Sequence, residues 1–445
     1  MRARQCLLGT ACVLLLAVAL TSFFSWDRAI PDVNAYWQAA VRLRAGEPVY
    51  VTPPPSPSPK AYLYPPAFAA FFAPLTLLTP LWGYAVWQAL HAVFLIWCVR
   101  TAALLGGVGD PSRRPDWLLA CLAVTFPALV GELQEGQANL LAMALALQGV
   151  LWTERARPLA GGLALAAAAH VKLYPLALAT LLVVWRRSRA LAAFGVSLVA
   201  LAATPMLWRV ASGPDAAAGY TATTYAEFIR RILSPGVSDR VVAGDVQFYV
   251  LNNSFAAVLH RLFSDTPFSP FPSLASWHGP LLASVPRPIL IGFATVGGVL
   301  LIGAALWYAA RHARTSRTRL LSVGLLYFGV QLTAPTCWEH HLVWLLAVVT
   351  PLWVHARDDR LATLRLRAIL AVWLAVITLP LVAQLTLQAT GTPTLVAWLG
   401  ASRAWGVPTL AVLLLLAEGM RSVRDERAEQ GSSAASSALP PERPA

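Results

Sequence analysis

The stretch LLGTACVLLLAVALTSFFSWDRAIPDVNAYW, residues 7–37, runs from an apolar segment straight into Asp32. Its first part, about 7 to 25, is long enough to cross a bilayer core of about 30 Å and reads as a membrane helix. Arg2 and Arg4 precede it, and Ala17-Val18-Ala19 also fits the cleavage site of a secretory signal. Apolar character continues through Leu20 to Trp26, which favours an uncut helix. On either reading Asp32 stands outside the cytoplasm, at the start of an amphipathic run and ahead of Tyr64-Pro65-Pro66.

The rest of the chain repeats the apolar half of this pattern. Of 445 residues, 57% are hydrophobic and 12% charged, against roughly 25% charged in a soluble domain. That composition describes an integral membrane protein with no soluble domain left over. The net charge of +13 comes from Arg clusters at 113–114, 155–157, 186–189, 311–319 and 357–367, each between apolar spans. Such spacing marks cytoplasmic connections rather than a nucleic-acid surface. Cys6, Cys12, Cys98, Cys121 and Cys337 are scattered mainly in apolar runs, with no spacing suited to a disulfide framework or a metal site.

With the Arg clusters taken as cytoplasmic, the first helix runs outward and the span at 82–104 runs back in, leaving 66–79 as a short or re-entrant helix. Spans at 117–132 and 138–153 form a hairpin whose turn, Glu132 to Asn139, lies outside. Residues 159–185 carry His170-Val171-Lys172-Leu173-Tyr174-Pro175 at their centre, so two shorter helices meeting toward the outer side suit them better than one straight span. Further spans are expected at 288–310, 320–335, 342–355, 368–388 and 404–419. The outer loops are 26–65 and 210–286, and 421–445 reads as a polar, disordered cytoplasmic tail after a single membrane domain over 1–420. The expectation is an all-α polytopic membrane protein with about 10–13 transmembrane or re-entrant helices.

Four polar groups then reach the outer face: Asp32, the 132–139 turn, the 170–175 break and the cluster Cys337-Trp338-Glu339-His340-His341. Ionisable groups beside membrane spans usually face a cavity or a partner. A carboxylate near an apolar surface has the chemistry of a general base, although Asp32 also suits a helix cap. An imidazole of His340 or His341 can hold a proton for a leaving phosphate, and adjacent positions on a helix point about 100° apart, so both do not meet one ligand alike. Lys172 suits a phosphate or snorkels beside Tyr174. The amides of Gln137 and Asn139 offer hydrogen bonds to sugar hydroxyls, or simply close a hairpin with Gly136. The zinc spacing HExxH is absent, and nothing in the sequence calls for a metal or another cofactor.

Taken in order, Asp32-Val33-Asn34-Ala35-Tyr36-Trp37 with Gly46-Glu47-Pro48-Val49-Tyr50, Tyr64-Pro65-Pro66, Gly136-Gln137-Ala138-Asn139, Lys172-Leu173-Tyr174-Pro175, Asn252-Asn253-Ser254 and Trp338-Glu339-His340-His341 resemble one family. It is the polyprenyl-phosphate-mannose-dependent α-mannosyltransferases of glycosyltransferase family 87, which have the GT-C fold. The resemblance covers about residues 5–420. It implies a polyprenyl-phosphate-linked sugar donor, a groove for the prenyl chain and a glycan or glycolipid acceptor approaching from outside the plasma membrane. Asp32 matches the family's acidic residue in the first outer loop, which takes the acceptor proton in an inverting transfer. Either His340 or His341 matches its late histidine. Residues expected to meet the substrates are Tyr64, Glu135, Gln137, Asn139, Lys172, Asn253, Trp338 and Glu339. The Pro-rich 52–59 segment departs from the pattern, and the 210–286 loop is not aligned with it. Two other functions share these features: a flippase or transporter of lipid-linked sugar, against which stand the lack of paired halves and the collection of polar groups at one side, and a polymerase or ligase of surface polysaccharide.

Overall fold

A computed structural model describes residues 32–51, 61–233, 252–264, 282–334, 336–357, 359–378 and 406–437, together with residues 9, 12, 13, 15–20 and 381. Most of the expected first span, the Pro-rich segment and much of the 210–286 loop lie outside the described residues. Among those described, the regular structure is all helical, without a strand.

The helices are α1 Asp32–Ala45, α2 Pro66–Phe72, α3 Pro80–Gly106, α4 Pro115–Glu135, α5 Asn139–Glu154, α6 Pro158–Val171, α7 Ala179–Val184 and α8 Ser188–Ala202. They continue as α9 Thr204–Leu207, α10 Pro214–Phe228, α11 Phe255–Phe263, α12 Arg287–His312, α13 Ser316–Thr333, α14 Leu346–Ala356, α15 Arg360–Trp373 and α16 Val407–Ser437. Among the described residues, five helical segments are long and apolar enough to cross a membrane: α3, α4, Ser188–Leu207, α12 and Arg360–Thr378. Proline at the first position starts α2, α3, α4, α6 and α10, where its missing N–H is not needed.

The boundaries follow the sequence reading closely in the middle of the chain. The 132–139 hairpin turn joins α4 and α5, and the 159–185 segment is indeed two pieces, α6 and a 3₁₀ turn at Tyr174–Leu178 that runs into α7. Two expectations differ. Helix α15 begins eight residues before the expected 368, because Asp359 caps its first turn by accepting from Leu361 N–H at 2.7 Å. Helix α16 is continuous over Val407–Ser437 and so extends into the stretch expected to be a disordered tail.

Helix α1 is not a lone surface helix. Val33, Tyr36, Ala40 and Leu43 recur at helical spacing and are buried, and the Tyr36 ring packs edge-on against Tyr64, Phe68, Phe72 and Trp87 at 4.8–6.4 Å. Helices α5, α6 and α8 pack through small residues: a Cβ on Gly162 would stand 2.5 Å from Ala190 O, a backbone approach typical of membrane helices.

The bundle has two chemically distinct ends. At one, Glu154 closes α5 and accepts from Arg319 in the first turn of α13 and from Arg187 Nη2 at 3.4 Å, ahead of α8; Ser316 Oγ joins it at 3.4 Å. At the other end of α5, about 22 Å away at 1.5 Å per residue, lies Asn139, first residue of the helix. Because Glu154 holds three segments through largely buried charges, Glu154→Ala is expected to cost about 2–3 kcal/mol by leaving its guanidinium partners unpaired. A lower thermal-denaturation midpoint in detergent checks this, and an unchanged midpoint would remove Glu154 from the fold's supports.

Candidate active site

The α4–α5 turn is fixed before any substrate arrives. The last carbonyls of a helix have no partner within it, and here α3 supplies them from one face. Trp87 Nε1 donates to Gly136 O at 2.8 Å, Gln88 Nε2 to Leu133 O at 2.8 Å, and a His91 ring nitrogen lies 2.8 Å from Gln137 O. Gly136 ends α4 at φ +59°, a left-handed conformation that suits glycine. A Cβ there would also stand 2.8 Å from Val33 Cβ of α1, so the turn and α1 meet at van der Waals contact. The fully buried Glu132 reaches across the turn: Leu140 N–H donates to its Oε1 and Asn139 Nδ2 to its Oε2, each at 2.8 Å. A carboxylate at the start of α5 also complements the helix dipole.

This frame holds Gln137, whose side chain is the hub of the site. Its Nε2 donates to Asp32 Oδ2, while its Oε1 accepts from Lys172 Nζ at 2.9 Å and from Tyr64 OH at 3.0 Å, with Tyr36 OH at 3.1 Å. The Tyr36 hydroxyl lies 2.8 Å from Tyr64 OH as well, and its single proton serves one of the two acceptors at a time. An amide between an anion and a cation has one sensible orientation, nitrogen to the carboxylate and oxygen to the ammonium. Asp32 is half-buried as the first residue of α1, so it serves its helix's first turn and the hub together.

Lys172 sits in extended backbone at the break after α6, outside the long membrane helices, and is buried. Gln137 is the hydrogen-bond partner of its side chain, and the ammonium lies over the Tyr64 and Tyr174 rings at 5.4 and 6.0 Å. Burial pulls its pKa below the ordinary value, and the Glu132 and Asp32 carboxylates pull it partly back. Tyr174 OH donates to Asn139 Oδ1 at 2.9 Å, tying the break to the capped start of α5.

On the Lys172 side a cavity of about 690 Å³ opens between the Leu63–Pro65 segment, the 172–180 break and the end of α13. Lys172, Tyr64, Gln331, Thr336 and His341 give it a polar end; Leu63, Pro65, Leu176, Ala177, Val330 and Ala334 give it apolar walls. His341 Nδ1 accepts from Trp338 N–H at 3.1 Å and faces Gln331 Nε2 at 2.7 Å. With Nδ1 accepting, the ring proton sits on Nε2. Burial, with the Lys172 charge adding to it, lowers the His341 pKa well below its ordinary value and keeps the ring neutral.

The geometry separates residues that the sequence lumps together. His341 lines the cavity; His340 stacks edge-on against it at 4.6 Å and backs onto Gly131 of α4. Trp338 contributes its backbone N–H to His341, and Glu339 begins the 3₁₀ turn that carries both histidines. Asn139 is a support of the hub rather than a bond to Gln137. Glu135, the last residue of α4, bears electrostatically on Tyr84. Asn253 lies in a clamp: its N–H donates to Cys337 O at 2.7 Å, and the neighbouring Asn252 Oδ1 accepts from Cys337 N–H at 2.9 Å. That clamp fixes the loop leading to His341. Sequence reasoning missed Tyr36, Trp87, Gln88, His91, Glu132 and Gln331 as parts of the site. Gln88, His91 and Gln331 carried one usable signal, each being a polar residue inside an apolar helix.

A sequence model of glycosyltransferase family 87 matches residues 62–335 of the chain. This chain belongs to glycosyltransferase family 87. It is a membrane glycosyltransferase of the GT-C kind. The match takes in Tyr64, Gln137, Asn139, Lys172 and Gln331, while Asp32 and His341 lie on either side of it and join the site through the contacts above. A protein of Mycobacterium tuberculosis (strain CDC 1551 / Oshkosh), the polyprenol-phosphate-mannose-dependent alpha-(1-2)-phosphatidylinositol pentamannoside mannosyltransferase, is 28% identical over 433 residues, covering 93% of this chain and 88% of its own length. No solved structure matches the chain.

Two glycines test how far the hub depends on its turn. Gly136→Ala combines the left-handed strain, about 1 kcal/mol, with the Val33 clash, and is expected to cost at least tenfold in glycosyl transfer. Gly107→Ala carries the same strain at φ +73° with nothing within 4 Å, and is expected to keep near-wild-type activity. Equal activity of the two variants in a membrane transfer assay would deny the turn its role.

Proposed function

We propose that this glycosyltransferase moves a mannosyl residue from a polyprenyl-phosphate donor to a lipid-linked or cell-envelope glycan on the extracytoplasmic face, with inversion. The observation that carries the reading is the Gln137 hub, which holds a carboxylate on one side and a buried ammonium on the other, the ammonium facing an amphiphilic cavity. The named activity of the mycobacterial relative supports mannose and the polyprenyl phosphate. The side of the membrane is supported by charge: the Arg-rich loops lie at the Glu154 end of the bundle, and the hub lies at the opposite end.

The chemistry follows from where the groups stand. The donor phosphate sits at the polar end of the cavity against Lys172, the Nε2–H of neutral His341 and the Tyr64 hydroxyl, with the prenyl chain along the Leu176–Ala177 and Val330–Ala334 walls. The acceptor hydroxyl attacks the anomeric carbon from the opposite side, beside Asp32. Its O–C1 bond forms as C1–O(phosphate) breaks, the bonding pair leaves on the phosphate oxygen, and Asp32 takes the hydroxyl proton. A β-linked donor thus gives an α-linked product. Lys172 and His341 oppose the negative charge that grows on the leaving phosphate, where preformed donors contribute most. Gln137 holds Asp32 with its carboxylate directed by an N–H and keeps Lys172 at a fixed distance from it.

Membranes carrying the protein, supplied with radiolabelled polyprenyl-phosphate mannose and a lipid-glycan extract, test the assignment. Asp32→Asn is expected to lower transfer by about 10²- to 10⁴-fold, the usual worth of a positioned base, with little change in donor KM. Lys172→Met is expected to raise donor KM as well as lower kcat, and Lys172→Arg to recover part of the donor binding. Label reaching glycan as freely with Asp32→Asn as with wild type would sink the base. Movement of labelled lipid across the bilayer without a new glycosidic bond would replace transfer with transport.

A further inference from the structure

At the Arg-rich end, a second cavity of about 460 Å³ lies between the first turns of α4, the end of α14 and the middle of α15. Arg357 and Arg367 stand at it with Asp116, and Leu119, Trp353 and Leu366 are among the apolar residues behind them. Other arginines of this end are committed to carboxylates: Arg187 and Arg319 to Glu154, Arg365 to Glu418 at 2.8 Å, Arg113 to Asp110 at 3.3 Å. Arg357 and Arg367 are exposed and, among the described residues, neither pairs with a carboxylate; Arg357 lies over the Trp353 ring at 5.3 Å. Asp116 opposes an anion there but is outnumbered two to one, and it complements the N-terminus of its own helix.

A site with two uncommitted guanidiniums at its mouth, an interfacial tryptophan and an apolar floor has the chemistry of a lipid-headgroup pocket. Guanidinium pairs phosphate in a planar, two-bond geometry, and basic pockets between membrane helices recognise anionic headgroups. We propose that this cavity binds one anionic glycerophospholipid from the leaflet at the Arg-rich end, its phosphate on Arg357 and Arg367 and the upper part of an acyl chain on Leu119 and Leu366. The occupant is a structural lipid of the membrane, separate from the glycosyl donor at the opposite end. Its binding seats α15 against α4, the helix whose far end carries Glu132 and the Gly136 turn.

The test uses the purified full-length protein in neutral detergent, titrated with dioleoylphosphatidylglycerol or dioleoylphosphatidylcholine and read by native mass spectrometry. Two cationic side chains near an anionic headgroup are worth about 30-fold in binding, so Arg357→Gln/Arg367→Gln is expected to weaken the first phosphatidylglycerol by about that factor and leave phosphatidylcholine unchanged. Arg155→Gln/Arg314→Gln removes two exposed charges from the same end that do not line the cavity and is expected to bind as wild type does. Ala120→Leu narrows the cavity at unchanged charge and is expected to weaken the same site, which covers the case of a double variant that fails to fold. Phosphatidylglycerol binding at wild-type strength in the Arg357/Arg367 variant, an equal loss in the control, or undiminished binding with Ala120→Leu would each overturn the proposal.

Discussion

The site depends on one amide that cannot be turned round. Gln137 presents nitrogen to Asp32 and oxygen to Lys172, and reversing it would set oxygen against carboxylate and N–H against ammonium. Each reversed contact is a repulsion in a poorly hydrated setting, where it weighs more than in water. The side chain therefore has one low-energy state, provided that its backbone stays still. That condition explains the density of contacts on the α4–α5 turn. Three side chains of α3, those of Trp87, Gln88 and His91, engage its carbonyls, and Glu132 spans it from the other side. The turn is built as a rigid mount.

A direct Asp32–Lys172 ion pair would be the simpler arrangement and a poorer one for transfer. An ammonium in contact with a carboxylate lowers its basicity, and the pair would spend the cation's charge before a phosphate arrived. With Gln137 between them, the carboxylate and the ammonium are held apart, and Lys172 keeps N–H groups for another acceptor. The cation–π contacts of Lys172 with Tyr64 and Tyr174 support this state, because an aromatic face stabilises positive charge without forming a hydrogen bond that must later be broken.

How much of this was legible in the sequence depends on the kind of signal each residue gave. Asp32, Gln137 and Lys172 stood out because a charged or amide group between apolar spans is costly unless it has a task, and the topology brought them to one end. The helical hairpin and the break at 172–174 were readable for the same reason. What was not readable is which polar residue supports and which faces the cavity. Glu132 and Glu135 are three residues apart on one helix, yet one is fully buried in the mount and the other half-exposed; the difference comes from the αL turn at Gly136 and the return of α5. His340 and His341 were indistinguishable by position, and a 3₁₀ turn rather than an α-helix sets which ring reaches Gln331. Asn253 is expected from the family resemblance to meet the substrates, and only the long-range contacts of Asn253 and its neighbour Asn252 with Cys337 show the clamp it takes part in.

The broken helix at Lys172 shows how the fold resolves the remaining conflict. A continuous span over 158–184 would satisfy every backbone group within itself but would hold Lys172 on the flank of a helix, its chain directed by the helix surface. Stopping α6 at Val171 and resuming through the Tyr174–Leu178 turn puts Lys172 in extended backbone and aims its side chain at Gln137. The break leaves carbonyls of the last α6 turn without helical partners, which a lipid-facing segment could not tolerate. Here the break borders a cavity with a polar end, and Tyr174 from the same turn hydrogen-bonds Asn139. The irregular backbone and the buried cation thus require each other: a lysine is delivered to the hub only where the helix is interrupted, and the helix is interrupted only where a cavity can solvate it.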